Sequence, residues 1–156
     1  MADMAEILRS MAETTSRKNR VKINRKGAKV FKEALHENYN VSMKHSADDD
    51  VIETLTTDTT TGGAVGVGFS KKGKKAYLAR FQNDGWIPRN QYGGPYKYHP
   101  GGADKSKDSS GGLPMVPGKH FWEKTAHDEG VDKSISEAEV KELDRLLRRA
   151  AGGGQP

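Results

Sequence analysis

The sequence contains no cysteine, and its hydrophobic fraction is low, at 33% against 30% charged residues. Without cysteine there is no disulfide, no thiolate metal ligand and no cysteine nucleophile, so the fold does not depend on the redox state of its compartment. This hydrophobic fraction is low for the core of a compact monomer of 156 residues. This composition predicts one domain that is stabilised partly by neighbouring molecules, as in an oligomer.

Long apolar runs are also missing. No stretch approaches the roughly 20 consecutive apolar residues that a membrane-spanning helix needs. Asp3 and Glu6 interrupt the apolar residues near the N-terminus, which therefore does not read as a signal peptide. These absences predict a soluble protein that is made in the cytoplasm and has no membrane partner.

Recognisable patterns for catalysis, metal binding or cofactor binding are missing as well. The five histidines form no group with the spacing and number of ligands of a zinc site. The acids at 48–50 and Glu53 lack the spacing of an EF-hand, and the Gly and Lys residues at 66–74 do not form a GxxxxGK[ST] phosphate loop. We therefore expect no catalytic, metal-binding or cofactor-binding residues and no enzymatic activity.

Positive charge is concentrated in one segment, because residues 17–32 contain eight Lys or Arg residues and no acid. Such a segment can face phosphate, an acidic partner subunit, or only solvent, and the sequence leaves all three open. The predicted basic face of this helix comprises Lys22, Arg25, Lys26, Lys29 and Lys32.

Helical spacing of apolar residues predicts three helical regions. Met4, Ile7, Leu8 and Met11 would form one face of a short N-terminal helix that packs on its own domain or on an adjacent subunit. A second helix, whose apolar face includes Phe31 and Leu35, is expected to end at Asn38–Asn40. At the C-terminal end, Ser134 to Glu137 matches a capping box that would open a helix with apolar residues on one side, namely Val140, Leu143, Leu146 and Leu147.

Strand patterns occupy the middle of the chain. The β-branched run at 51–61, the Gly62–Gly63 pair and the alternation of apolar residues with glycine at 65–69 predict an antiparallel hairpin. Gly66 and Gly68 leave one sheet face without side chains, which suggests that a helix or a neighbouring strand approaches that face closely. Residues 76–81 are too few for periodicity to decide between a strand and a helical turn.

Two sharply defined blocks, AYLARFQNDGW and GLPMVPGKHFWEKT, flank a long loop at about 83–117. A loop of this length is either functional or disordered, and we expect this one to become ordered against a partner. Its interleaved tyrosines and Lys97 suit either a protein interface or stacking on single-stranded nucleic acid. In the second block, Phe121 is expected in the core and Trp122 nearer the surface.

These local signals predict a single α+β domain over residues 1–151, followed by a flexible tail at 152–156. A small, mostly antiparallel β-sheet would pack against N- and C-terminal helices, with one long extended loop.

The two blocks, read with AKVFKEALHEN and VGVGFSKKGKKAYLARF before them, resemble the bacteriophage tail completion, or head-to-tail joining, proteins. The resemblance covers about Lys29 to Thr125 and includes the order of the motifs. Tyr39–Asn40 stands where the family usually has a proline.

The resemblance implies a structural virion protein at the neck, the top of the tail. It would form a homo-oligomeric ring, usually hexameric, between the tail tube protein and the head connector or stopper protein, with DNA passing through the lumen without specific binding. The alternative is a nucleic-acid-binding protein that uses the basic helix 17–32 and the Tyr/Lys loop. Candidate residues of the subunit interface are Gly66, Gly68, Trp86, Tyr92, Tyr96, Tyr98 and Trp122.

Overall fold

The computed structural model describes residues 12, 16–43, 49–73, 75–86 and 116–150, and these form an α+β fold. The N-terminal helix predicted at Met4–Met11, most of the long loop and the tail at 152–156 lie outside the described residues. In chain order the elements are α1 (Arg17–Met43), α2 (Asp49–Ile52), β1 (Leu55–Thr59), β2 (Val65–Phe69), α3 (Ala76–Asp84), β3 (Gly85–Trp86), β4 (Val116–Pro117), α4 (Phe121–Ala126) and α5 (Glu129–Ala150).

Helix α1 is the element on which the rest of the fold packs. Ser16 caps its first turn, because the Ser16 carbonyl accepts the backbone N–H groups of Asn19 and Arg20 at 3.0 and 2.9 Å. The predicted end at Asn38–Asn40 is wrong. Leu35, Tyr39 and Met43 are buried at four-residue spacing, so the apolar face continues and tertiary burial carries the helix past both asparagines.

The predicted antiparallel hairpin is confirmed, with Leu55 opposite Phe69 and Thr59 opposite Val65. Its turn is closed by a hydrogen bond from the backbone N–H of Thr60 to the Ala64 carbonyl at 2.9 Å. The strand is shorter than the β-branched run suggested. Val51 and Ile52 belong to the helical turn α2, where both side chains enter the core.

The surroundings of Gly66 and Gly68 are open among the described residues. A Cβ atom built on either glycine would meet no atom within 4 Å. The described part of the chain therefore does not supply the close approach of a helix or a neighbouring strand to this face, which stays a prediction.

Residues 76–84, for which the sequence left two possibilities, form helix α3. Ala79 of α3 is buried in the main core cluster, together with residues of α1, α2, β1 and α4. The cluster consists of Leu35, Tyr39, Met43, Val51, Ile52, Leu55, Ala79 and Phe121. The ring of Phe121 makes edge-to-face contacts with Tyr39 and Phe69, at centroid distances of 5.2 and 6.2 Å.

Helix α5 begins at Glu129 rather than at the predicted capping box. Asp128 caps it, because its Oδ1 accepts the backbone N–H groups of Gly130 and Val131 at 2.8 and 3.2 Å. The Ser134 hydroxyl lies one turn inside the helix and donates to the Gly130 carbonyl at 2.8 Å. An earlier acid therefore supplies the cap that the sequence pattern placed at Ser134.

Helix α5 makes its principal contact with α1. Gly27 allows the close approach, since a Cβ at that position would collide with the Glu139 carboxylate. Leu146 faces α1 and is buried, whereas Val140, Leu143 and Leu147 are exposed. The sequence placed all four on one side. The structure separates Leu146 from the other three.

Candidate subunit interface and basic face

A junction at 83–86 and 116–123 joins the two sequence blocks at the base of the long loop. Gly85 pairs with Pro117 and Trp86 with Val116 in a two-residue antiparallel ladder, β3 and β4. The ends of the segment at 87–115 are therefore fixed side by side. We call residues 83–86 and 116–123 the loop junction.

Two glycines let the two strands of the loop junction meet. Gly85 has a φ of +83°, a backbone conformation in which residues other than glycine are strained. A Cβ atom on Gly118 would collide with the Asn83 carbonyl oxygen, and one on Gly85 with the Val116 carbonyl oxygen. Both positions therefore require glycine at this spacing.

Asn83 connects the loop junction to helix α4 through its buried side chain. Its Oδ1 accepts the backbone N–H of Trp122 at 2.9 Å, and its Nδ2 donates to Glu123 Oε2 at 3.0 Å. The Asn83 carbonyl also accepts the backbone N–H of His120 at 3.0 Å. Nothing in the local sequence pattern indicated that Asn83 has partners about forty residues away.

Gln82 and Thr125, which adjoin the loop junction, connect it to α1 by polar contacts. The Tyr39 hydroxyl donates to Gln82 Oε1 at 3.2 Å, and Asn38 Nδ2 donates to Thr125 Oγ1 at 2.8 Å. The Thr125 hydroxyl in turn donates to the Phe121 carbonyl at 2.8 Å. Because Phe121 is fully buried between these contacts, the loop junction and the core form one packed unit.

The interface candidates fall into three groups. Trp86 is 41% exposed beside the loop junction, while Trp122 is half-buried against Phe31 with ring centroids 5.6 Å apart. Gly66 and Gly68 lie on the open face of β2. Trp122 lines one depression together with Val65 and Val67 of β2, the strand that carries the two glycines. Tyr92, Tyr96 and Tyr98 lie outside the described residues.

Part of the basic face of α1 is turned toward acids of this same chain. Lys29 Nζ lies 3.7 Å from the Glu33 carboxylate in an exposed pair. Lys22 and Lys26 lie close enough to Glu142 of α5 to favour its charged form. Arg25 is exposed and Lys32 is half-buried. The five residues therefore do not act as one uniform cationic surface.

Glu142 is the acid at the centre of the contact between α1 and α5. Its side chain is only 7% exposed, and Arg145 donates to it in a bidentate pair at 2.6 and 2.9 Å. The hydrogen bonds from Arg145 lower the pKa of Glu142, and this outweighs the burial that raises it; the charges of Arg145, Lys26 and Lys22 lower the pKa further. The same hydrogen bonds raise the pKa of Arg145. Glu142 is thus held in its charged form.

Large apolar side chains that sequence analysis did not assign to an interface are also exposed. Tyr77 and Phe81 of α3 are 62% and 45% exposed, and their rings are in edge-to-face contact. Val140 of α5 is 63% exposed, with Leu143 and Leu147 next to it. Helical spacing could have shown that these residues share a face, but not that they are left exposed in the described part of the chain.

Within the described part of the chain, no three His, Cys, Asp or Glu side chains are grouped in a way that could hold a metal ion. A search of the same residues finds no helix with the length and hydropathy needed to cross a membrane. In comparisons with known proteins, no family model, no curated protein and no solved structure matches this chain.

Proposed function

We propose that this protein is the subunit of a homo-oligomeric ring, hexameric in the simplest case, that completes a bacteriophage tail and joins it to the head. In this proposal it is a structural, non-enzymatic protein of the virion neck. Its partners are further copies of itself, the tail tube protein and the head connector or stopper protein. The proposal starts from the resemblance of the sequence blocks to tail completion proteins.

The observation that supports the proposal best is the loop junction. The two blocks that carry the resemblance are far apart in the sequence, yet they pair through β3 and β4 and through Asn83. The segment between them thus leaves and re-enters the domain at one point. A rigid base of this kind suits a segment that contacts another molecule, because the base fixes where the segment can reach.

Exposed apolar side chains give further support to assembly. Tyr77, Phe81, Val140, Leu143 and Leu147 are all at least 37% exposed, in a chain that has few hydrophobic residues to spare. Contiguous apolar groups at a surface commonly mark contacts with other proteins. We infer that neighbouring copies or neck proteins cover them.

The basic face suits DNA that passes through a lumen without being held. Glu142 offsets part of the charge of Lys22 and Lys26, and Glu33 lies beside Lys29. A partly neutralised surface attracts phosphate only weakly, whereas each phosphate bound tightly would slow the exit of the genome. In the proposed ring, α1 faces the lumen or an acidic neighbour.

One observation favours the alternative, a nucleic-acid-binding protein. At the N-terminal end of α1, Lys18 and Lys22 line a depression together with Asn19 and with Arg149 of α5. Phosphate could occupy this depression. Binding through it would weaken steeply as salt is added, and a ring held together by apolar contacts would change little.

The proposal is tested by removing the gene for this chain from the phage that encodes it. Loss of the protein should leave DNA-filled heads and tail tubes that lack the completing ring and do not join, and supplying the wild-type chain should restore infectious particles. A matched control supplies Asn40→Ala, a change at an exposed residue of α1. If joined particles still form in normal number without the chain, the proposed function is wrong.

A further inference from the structure

Two exposed apolar surfaces lie on different parts of the chain. The first is a groove between β2, α3 and α4, lined by Phe69, Ala76, Tyr77, Ala79 and Trp122. The second is a strip on α5 formed by Val140, Leu143 and Leu147. We call them the aromatic groove and the α5 strip. No residue belongs to both.

The shapes and the chemistry of the two surfaces match. The aromatic groove is a depression with a mostly apolar lining that includes Tyr77, and the exposed ring of Phe81 packs edge-to-face on that of Tyr77. The α5 strip is a ridge, because Val140, Leu143 and Leu147 are spaced three, four and seven residues apart on one face of a helix. An amphipathic helix that lays an apolar ridge into an apolar groove is a common mode of protein recognition.

The charges at the two edges are complementary. Lys71, Arg80 and Asp84 line the aromatic groove. Arg80 and Asp84 form an ion pair with each other at 3.5 Å and offset each other's charge, but Lys71 forms no ion pair with another described residue, so the edge keeps a positive charge. On α5, Glu137 precedes Val140 by three residues and Asp144 follows it by four, so both acids border the strip. Asp144 lies 2.8 Å from Arg148, whereas Glu137 has no ion pair among the described residues.

We propose that the α5 strip of one copy docks in the aromatic groove of the next copy. This proposal rests on the proposed function, because it names the surfaces through which the subunits of the ring would meet. Since the two surfaces are distinct, each copy can offer its strip to one neighbour and its groove to another. That is the condition for a head-to-tail contact, which closes into a ring when the rotation permits.

Cysteine cross-linking tests the proposal, because the natural chain has no cysteine. Leu147→Cys places a thiol on the strip and Tyr77→Cys places one beside the groove, at exposed positions where the substitution should not disturb the fold. The two variants are mixed at high concentration and treated with a short bismaleimide. The matched control replaces Tyr77→Cys with Val41→Cys, an exposed position on α1 outside both surfaces.

The expected result is a cross-linked dimer at a yield at least tenfold higher in the Leu147→Cys and Tyr77→Cys mixture than in either variant alone or in the control mixture. A chain that carries both cysteines should give a ladder of multimers that stops at the ring size. A dimer formed by Leu147→Cys alone would instead show strip-to-strip pairing and overturn the proposal. Equal yields in all mixtures would overturn it as well.

A charge exchange tests the edges of the same contact. Lys71→Glu in the Tyr77→Cys variant and Glu137→Lys in the Leu147→Cys variant should each lower the cross-linking yield several-fold. Mixing the two doubly substituted variants should restore the yield. No recovery in that mixture would contradict the assigned orientation.

The experiments also distinguish a failure of this proposed contact from a failure of the proposed function. If virions contain the chain as a ring but the cysteine variants do not cross-link in it, the strip-to-groove contact is wrong and the proposed function stands. If the purified chain gives a cross-linked ladder but is absent from virions, the proposed function is wrong and the contact stands.

Discussion

Asn83 accepts the backbone N–H of Trp122 through its Oδ1 at 2.9 Å, although the two residues lie on opposite sides of the long loop. The contact orients the first turn of α4, whose N–H groups have no partner inside the helix. It also places Phe121, the neighbour of Trp122, in the core beside Tyr39. One amide side chain thus links the loop junction to the packing of the domain.

Asn83→Ala should lower the free energy of unfolding by about 1 to 2 kcal/mol, because it removes a buried amide and leaves the part-buried backbone N–H of Trp122 without its acceptor. Denaturant unfolding measures the loss, and amide hydrogen exchange at Trp122 should become faster. Asn40→Ala, at an exposed residue of α1, is the control and should change stability by less than about 0.5 kcal/mol. Equal effects of the two substitutions would contradict the role given to Asn83.

Phe121→Ala should lower the free energy of unfolding by about 3 to 5 kcal/mol, the usual range for a buried phenylalanine. The side chain is fully buried and contacts the rings of Tyr39 and Phe69. Phe81→Ala is the matched control, since Phe81 is 45% exposed and should cost much less. A loss below about 1 kcal/mol for Phe121→Ala would show that this residue does not hold the core together.

Glu142→Gln should make the stability of the protein less dependent on pH. Because hydrogen bonds from Arg145 lower the pKa of Glu142 in the folded state, the unfolded chain binds the proton more readily. The stabilisation by Glu142 is therefore complete above its unfolded pKa and is lost as pH falls through the lower, folded pKa.

At neutral pH, Glu142→Gln should cost about 1 kcal/mol, because the Arg145 side chain of the pair is 56% exposed and solvent screens the interaction. The difference from wild type should shrink as the solution is acidified, which denaturant unfolding at a series of pH values measures. Asp144→Asn is the control, because its exposed pair with Arg148 should contribute no more than about 0.5 kcal/mol. A difference that stays constant with pH would contradict this account of the contact between α1 and α5.

Replacing Lys22, Lys26 and Lys29 together by Gln should reduce the assembly of infectious particles while the protein stays folded. The loss of stability should remain below about 1 kcal/mol, since exposed and partly exposed charge pairs contribute little. Particle yield and denaturant unfolding measure the two effects. If the wild-type chain binds free DNA with micromolar or better affinity at physiological salt, and the triple variant does not, the nucleic-acid-binding alternative replaces the proposed function.

The sequence predicts the parts of the fold that depend on local signals. The hairpin follows from β-branched residues and the Gly62–Gly63 turn, and the burial of Leu35 and Phe121 follows from their apolar surroundings. The boundaries of α1 and α5 were missed. Tyr39 and Met43 extend α1 because they reach the core, and Asp128 caps α5 before the Ser134 pattern begins.

The candidate site depends more on tertiary contacts and was predicted less well. The sequence singled out Trp86 and the basic face as candidates, but it gave no signal for the contacts of Asn83 and Glu142 or for the aromatic groove. Asn83 and the groove depend on residues that are far apart in the sequence, and so does the effect of Lys22 and Lys26 on Glu142, although its main partner, Arg145, is three residues away. The glycines of β2 suggested a close packing partner, which the described residues of this chain do not supply.

Cryo-electron microscopy of purified phage particles, combined with mass spectrometry of their proteins, tests the central claim most directly. The account predicts a ring of copies of this chain between the tail tube and the head connector, with α1 facing the lumen or an acidic neighbour and the loop junction directed at an adjoining protein. Particles whose neck contains no copy of the chain, or copies bound along DNA without a ring, would contradict it.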